Sequence, residues 1–355
     1  MPLPDALRAL LTSFGPSGVE TEAAAAWRHA ARAFTDDVSG DVMGTSVARV
    51  AGRDGDRAGP LVAVIGHVDE IGLIVTHIDD EGLLWFGQVG GWDPMILVGQ
   101  RVEVSTREGR IPGVVGKKPI HLIKPDEREK APKLEDLHID IGARDGDDAR
   151  RTVRVGDVAV IAGAPVELAN GRFASRSMDN RLGAYVALEA ARLVAEAGGA
   201  VGPVAAVASV QEEAGLWGAV TSTFALEPDI AIVVDVTHAT DAPGVNKRTE
   251  GDHALGSGPV IGRGTVLHPH VYDLLVEAAE AESIPYTVEA TGRGTGTDAD
   301  VVHISRRGVP TGLVAFPLRY MHSPVELMQL DDVEAAARLI AAFALRLPAD
   351  ASFVR

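Results

Sequence analysis

The chain has no cysteine among its 355 residues. That removes disulfides, thiolate metal ligands and cysteine nucleophiles together, so any metal chemistry must rest on His, Asp and Glu. Aromatic residues are scarce at 5% while Ala and Gly abound. This favours close helix-on-sheet packing over a stacking or lipid-facing surface. Positive charge is also in deficit, with 33 Lys and Arg against 50 Asp and Glu and a formal net charge of −17. Such a surface repels phosphate backbones and anionic membranes, and no basic stripe offsets it, so nucleic acid and membrane are excluded as partners. No apolar run is long enough to span a bilayer, and the opening MPLPDALRALLTSFG places an acid where a signal peptide needs positive charge. A soluble, unexported, cytoplasmic chain is expected. GxSxG, P-loop and GxGxxG patterns are missing too, which sets aside serine-hydrolase and nucleotide-binding readings.

What is present is a large apolar fraction, 46%, in a chain long enough for two domains or for one domain carrying an insertion. Segments 3–14 and 19–34 carry Leu, Ala and Trp at helical spacing, broken by Gly15, Pro16 and Gly18. A buried strand is predicted over 61–65. From Gly72 to Ala162 the texture changes to short Val/Ile-rich runs punctuated by Gly, Pro and Asp, the mark of a small β-rich module. Helix and strand then alternate. Helices are expected at 180–197, 270–282, 298–306 and 332–345, and strands at 204–210, 229–234, 286–290 and 312–316. The fold class is therefore α/β, with residues 1–71 and 163–355 forming a discontinuous catalytic domain that residues 72–162 interrupt. The charged stretch 117–136 reads as a solvated or interface loop.

Several candidate metal ligands fall just beyond apolar strands: His67 after LVAVIG, Glu212 and Glu213 after VAAVASVQ, and Asp235 after IAIVV. The carboxyl ends of strands are where open α/β sheets place their sites. Asp179 opens a helix in SRSMDNRLGA, and His322 lies in RYMHSP after the last strand. Each has a plain structural alternative: Asp179 could cap its helix, His67 could be a satisfied core histidine, and Asp235 and His322 could be turn residues. Their gathering at element ends within one domain favours a sulfur-free ligand set for two cations about 3.5–4 Å apart. His67 and Asp69, two apart on extended chain, point to one side, so Asp69 could hold the second imidazole nitrogen. Adjacent Glu212 and Glu213 diverge, one toward metal and one toward water, as a base beside a ligand requires.

In FGPSGVE, GHVDEIG, SMDNR, VQEEAGLWGA, VVDVTHA, LGSGPVI, GTGTDAD and YMHSPVE, taken in that order and running nearly end to end, the sequence resembles the M42 family of metallo-aminopeptidases, the tetrahedral or deblocking aminopeptidases. The resemblance implies a mixed sheet flanked by helices, the zinc-peptidase core, with the β-rich insertion as a small β-barrel, PDZ-like dimerisation domain. It implies removal of residues from the amino ends of short peptides, and two divalent metal ions per subunit, Zn first, with Co and Mn also suited. His67, Asp179 and Asp235 would bind one, and Asp179, Glu213 and His322 the other. Glu212 would be the general base acting on a water between the metals, and Asp69 the acid that orients His67. Dimers, and a tetrahedral dodecamer built from them, are implied as well.

The family's substrate pocket is shaped by two loops, here 237–241 and 291–298, which makes Thr237, His238, Arg293, Gly294 and Thr295 the candidate substrate-binding residues. Arg293 could reach an acidic side chain; the absence of an acidic cluster in these loops counts against a lysyl preference, and aliphatic residues such as Leu are favoured. The competing enzyme is a two-metal deacylase or carboxypeptidase acting on amino-blocked substrates. A glycosidase would need two carboxylates and no metal, and a scaffold with a structural metal would more often use cysteine.

Overall fold

Two-residue alternation in four apolar strands decides which way the molecule packs. In the computed structural model, which describes residues 2–55 and 58–355, the chain begins with α1 (Asp5–Thr12), α2 (Thr21–Ala31), β1 (Val38–Gly40), β2 (Ser46–Val50) and β3 (Val62–His67). It then forms β4 (Gly72–Ile78), β5 (Leu84–Val89), α3 (Pro94–Leu97), β6 (Arg101–Thr106), β7 (Gly109–Gly116), β8 (His138–Asp140), α4 (Gly146–Thr152) and β9 (Val158–Ile161). These six strands close into an antiparallel barrel in the order β4-β5-β8-β7-β6-β9, filled by residues such as Leu73, Leu84, Val104 and Ile139.

The rest comprises β10 (Val166–Leu168), β11 (Arg172–Ser175), α5 (Met178–Glu196), β12 (Val204–Ser209), α6 (Glu212–Gly215), α7 (Trp217–Leu226), β13 (Ile230–His238), α8 (Lys247–Glu250) and β14 (Val260–Gly264). It ends with α9 (Pro269–Ala281), β15 (Thr287–Thr291), α10 (Ala299–Val302), β16 (Thr311–Leu318), β17 (Glu326–Gln329) and α11 (Leu330–Arg346). An eight-stranded mixed sheet runs β1-β2-β12-β3-β13-β16-β14-β15, and β10-β11-β17 make a small antiparallel sheet. Among the described residues no helix is long and apolar enough to cross a membrane.

The central strands β12, β3, β13 and β16 are parallel to one another, with antiparallel β2 and β14 on either side, and they are buried on both faces, as a sheet covered by helices on both sides requires. On β3, Val62 and Val64 face the large core built with α1, α2, α5, α9 and α11; Ala63 and Ile65 face the smaller core beneath α7 and α10. On β13, Ile230, Ile232 and Val234 take the first side and Ala231 and Val233 the second. The same alternation carries His67 and Asp235 onto the second side at the carboxyl ends of their strands.

The helix expected at 298–306 is only one turn, Ala299–Val302. Arg306 has φ +52°, a left-handed conformation that no α-helix interior accepts. Strands β1, β2 and β14 and helix α7 had no counterpart in the sequence reading; in β14 the pattern VIGRG is too interrupted by glycine to register as a strand.

One close approach fixes where α5 begins. A Cβ on Gly66 would lie 2.3 Å from the Gly183 carbonyl carbon, and one on Gly183 would lie 2.7 Å from the Val234 carbonyl oxygen. Only two glycines let α5 sit backbone to backbone on β3, which brings the start of α5 beside His67. Gly66→Ala is expected to destabilise the protein by about 3 kcal/mol or more, the upper part of the overpacking range, read as a lowered urea midpoint.

Candidate metal centre

Asp179 does not cap its helix. Its φ of −78° and ψ of 106° are non-helical, and the capping role passes to Asn180, whose Oδ1 accepts from Gly183 N at 2.9 Å while its Nδ2 donates to Val234 O at 2.8 Å. The Asp179 carboxylate is thereby free to stand between two imidazoles. Its Oδ1 is 3.3 Å from His67 Nε2 and its Oδ2 is 3.4 Å from His322 Nε2. Glu212 Oε2 approaches His67 Nε2 at 3.7 Å, and Glu213 Oε1 approaches His322 Nε2 at 3.3 Å. The adjacent glutamates thus diverge, one toward each histidine, from the single helical turn of α6.

Donor atoms of His67, Asp179 and Asp235, of Asp179, Glu213 and His322, and of His67, Glu212 and Glu213 lie within 4.8 Å of one another in each set. The cavity they open into, about 360 Å³, has no Lys or Arg in its wall. Imidazole and carboxylate donors crowded together without a fixed counter-charge fit divalent cations of the Zn, Co and Mn type.

Burial first, then the neighbouring acids, pushes Glu212 up to about 10 despite His67, and burial followed by repulsion from Asp179 holds Asp235 well above the usual carboxylate range. Burial opposes the His67 cation, yet Glu212, Asp179 and Asp69 together keep it well above its ordinary value. Hydrogen bonds to Asp179 and Glu213 push His322 up to about 11. Asp179 itself is raised by burial but held low overall by the two imidazoles.

A second layer of side chains orients the first. Asp69, fully buried, accepts from Glu212 N at 3.1 Å and Glu213 N at 3.2 Å, and from Ser17 Oγ. Its Oδ1 is also 3.3 Å from His67 Nδ1, an ion-pair contact rather than an aligned hydrogen bond. Gln211, with φ +56°, is held by Glu20, whose Oε1 accepts its N–H at 3.2 Å. His322 Nδ1 donates to Gly91 O at 2.9 Å, across from the barrel segment, which turns Nε2 toward Asp179 and Glu213, the position a metal-binding nitrogen would take.

Glu326, which the sequence reading did not single out, does the most. Buried to 2% exposure, it accepts through Oε2 from Met178 N at 2.7 Å and Asp179 N at 3.2 Å, and through Oε1 from His322 N at 2.9 Å. Asp298 is also buried, bonded to Ser209 Oγ at 2.6 Å and pushed by burial to about 6. The strand-end rule could have flagged neither, since Glu326 begins β17 and Asp298 precedes a one-turn helix.

Thr237, His238 and Thr295 line the cavity, joined by Glu289, Thr297 and Met321. Arg293 and Gly294 are not in its wall; their carbonyls accept from Thr265 Oγ1 and Thr291 Oγ1.

With this geometry in view, the comparisons are specific. The sequence profile described as M42 glutamyl aminopeptidase matches residues 47–339. The chain belongs to the M42 peptidase family. It is 36% identical over 307 residues to the lysyl aminopeptidase of Pyrococcus furiosus, covering 86% of this chain and 85% of that protein. The crystal structure of the TET aminopeptidase from a marine sediment Thaumarchaeota archaeon superposes with a TM-score of 0.91 at 35% identity, over 97% of this chain and 96% of that one. The Pyrococcus horikoshii TET1 peptidase, described as assembling into a tetrahedron or a large octahedral shell, gives 0.84 at 30% identity, over 97% and 99%. These M42 proteins are aminopeptidases, metal-dependent hydrolases, and this chain is an enzyme of that class.

Replacing Glu326 by Ala leaves three buried or half-buried N–H groups at the site without their acceptor. A loss of about 10- to 100-fold in metal affinity is expected, the usual cost of removing such a support, measurable by competition with a chromogenic chelator.

Proposed function

We propose that this M42 enzyme is a dinuclear aminopeptidase that removes single residues from the free amino ends of short peptides. The observation that carries the reading is Asp179, which turns one oxygen to each of two histidines at 3.3 and 3.4 Å; a carboxylate so placed is suited to bridge two cations. His67 and Asp235 would complete one site, and Glu213 and His322 the other. Bound there, two divalent ions, Zn in the first instance or Co or Mn, would supply the charge that polarises a scissile carbonyl and acidifies water.

The chain's own residues would do the rest. Glu212, whose Oε2 stands 3.7 Å from His67 Nε2, would take a proton from the attacking water and return it to the leaving amine. Asp69 holds the backbone of both glutamates and faces His67 Nδ1, so the base and the ligands keep one geometry. Peptide amino ends enter through the cavity bounded by Thr237, His238 and Thr295.

The barrel, spanning residues 72–162 between the two halves of a catalytic domain (1–71 and 163–355), is read as the module through which copies pair. Assembly into dimers and a tetrahedral dodecamer is proposed from the likeness to TET1, and a cytoplasmic location from the sequence. Size-exclusion chromatography with light scattering tests assembly: a mass near twelve chains, or a dimer, is expected, and a monomer throughout would refute it.

Glu212→Gln is expected to lower kcat by at least about 10³-fold, near the range attributed to general-base catalysis, while the protein still binds two equivalents of metal by titration. Chelation should abolish release of free amino acids from unblocked peptides, and Zn or Co should restore it. Cleavage confined to N-acetylated peptides would favour the deacylase alternative.

A further inference from the structure

We infer that the side chain this enzyme prefers at the peptide's amino end is basic, Lys or Arg, and that Glu289 is the residue that selects it. The inference deepens the aminopeptidase reading and rests on it. Glu289 stands in the wall of the same cavity as Asp179, Glu212 and His322, on the edge strand β15, where Thr287, Glu289 and Thr291 share the half-buried face and Val288 and Ala290 are exposed.

The two threonines on that face are already engaged. Thr287 Oγ1 meets His253 Nδ1 at 2.8 Å, and Thr291 Oγ1 donates to Gly294 O at 3.0 Å. The backbone of Glu289 pairs with β14, but its carboxylate makes no hydrogen bond or ion pair with any described residue and belongs to none of the metal-binding sets. A half-buried carboxylate facing a cavity with no Lys or Arg in its wall is an anion whose natural partner is a ligand cation.

The remaining wall supports the same choice. Beyond the candidate metal ligands and Glu289 itself it offers Thr237, Thr295 and Thr297, the His238 imidazole and the side chain of Met321. A Leu side chain would fill the cavity and leave the Glu289 carboxylate without a partner. A Glu side chain would face Glu289 with no compensating cation, since Arg293 is exposed and outside the wall. Lys or Arg can lay its methylenes along Met321 and bring its charged head to Glu289. The proposal differs from the aliphatic preference expected from the two loops, because Glu289 sits on a strand just ahead of the second loop.

The test compares kcat/KM for the p-nitroanilides of Lys, Arg, Leu and Glu on metal-loaded wild type, Glu289→Gln and Glu289→Lys. Ratios between substrates are read within each protein, so partial misfolding of a variant cancels. Wild type should favour Lys and Arg over both Leu and Glu. In Glu289→Gln the Lys-to-Leu ratio should fall about tenfold or more, a magnitude ordinary for a desolvated charge pair, and Glu289→Lys should invert the order of Lys and Glu. Wild type preferring Leu or Glu, or a Lys-to-Leu ratio unmoved by Glu289→Gln, overturns the inference and leaves the aminopeptidase intact. If no unblocked substrate is cut while N-acetylated ones are, the aminopeptidase reading falls and this inference falls with it.

Discussion

Buried negative charge without a fixed counterion is the constraint on which this molecule is organised. Asp179, Asp235, Glu212 and Glu213 converge at the carboxyl ends of β3 and β13, with donor atoms within 4.8 Å of one another in each ligand set, where two like charges repel by about 3 to 4 kcal/mol at an effective dielectric near 20. Within these ligand sets the protein supplies two imidazoles, those of His67 and His322, and the cavity wall holds no Lys or Arg. Elsewhere it pairs buried charge with care: Glu70, three residues beyond His67, is bound by both Arg176 and Arg181. The contrast between a neutralised knot and an un-neutralised cluster a few residues apart marks the second as a place for cations from outside.

Holding such a cluster together requires rigid backbone beneath it. Arg181, wholly buried, donates to the carbonyls of Leu10, Ser13 and Val68 and to Glu70. It thereby locks α5 to the end of α1 and to the segment that follows β3. The Gly66–Gly183 contact brings the same helix onto the sheet, and Asp69 and Glu326 then fix the backbone of Glu212, Glu213, Asp179 and His322 from opposite sides. Each candidate ligand except Asp235 is set by a neighbour that is itself a buried carboxylate or a barrel carbonyl. Asp235 is carried by strand alternation and accepts its own next N–H, from Val236, at 2.8 Å.

The barrel is more than an appendage to this arrangement. Gly91 lies just past β5, and its carbonyl orients His322, while Gly90 would place a Cβ 3.1 Å from Glu213 Oε2. Any rotation of the barrel against the sheet would therefore move a candidate ligand, so the positioning of one half of the site and the seating of the inserted module are the same physical fact.

Periodicity and strand-end position were readable from the chain alone because both are local. The apolar runs LVAVIG and IAIVV put His67 and Asp235 at strand ends, the short Val/Ile-rich runs from Gly72 onward marked a β-rich segment, and the ordered motifs carried the family resemblance. What waited for the tertiary structure depended on contacts far apart in sequence: that Asn180 rather than Asp179 caps α5, that Glu326 holds Asp179 from 147 residues away, that Gly91 sets His322 from 231 residues away, and that Glu289, unremarkable in a strand, faces the cavity. A sequence records which side chains are available and their local period. Which of them share one desolvated space is decided by packing, and that space determines what their charges can do.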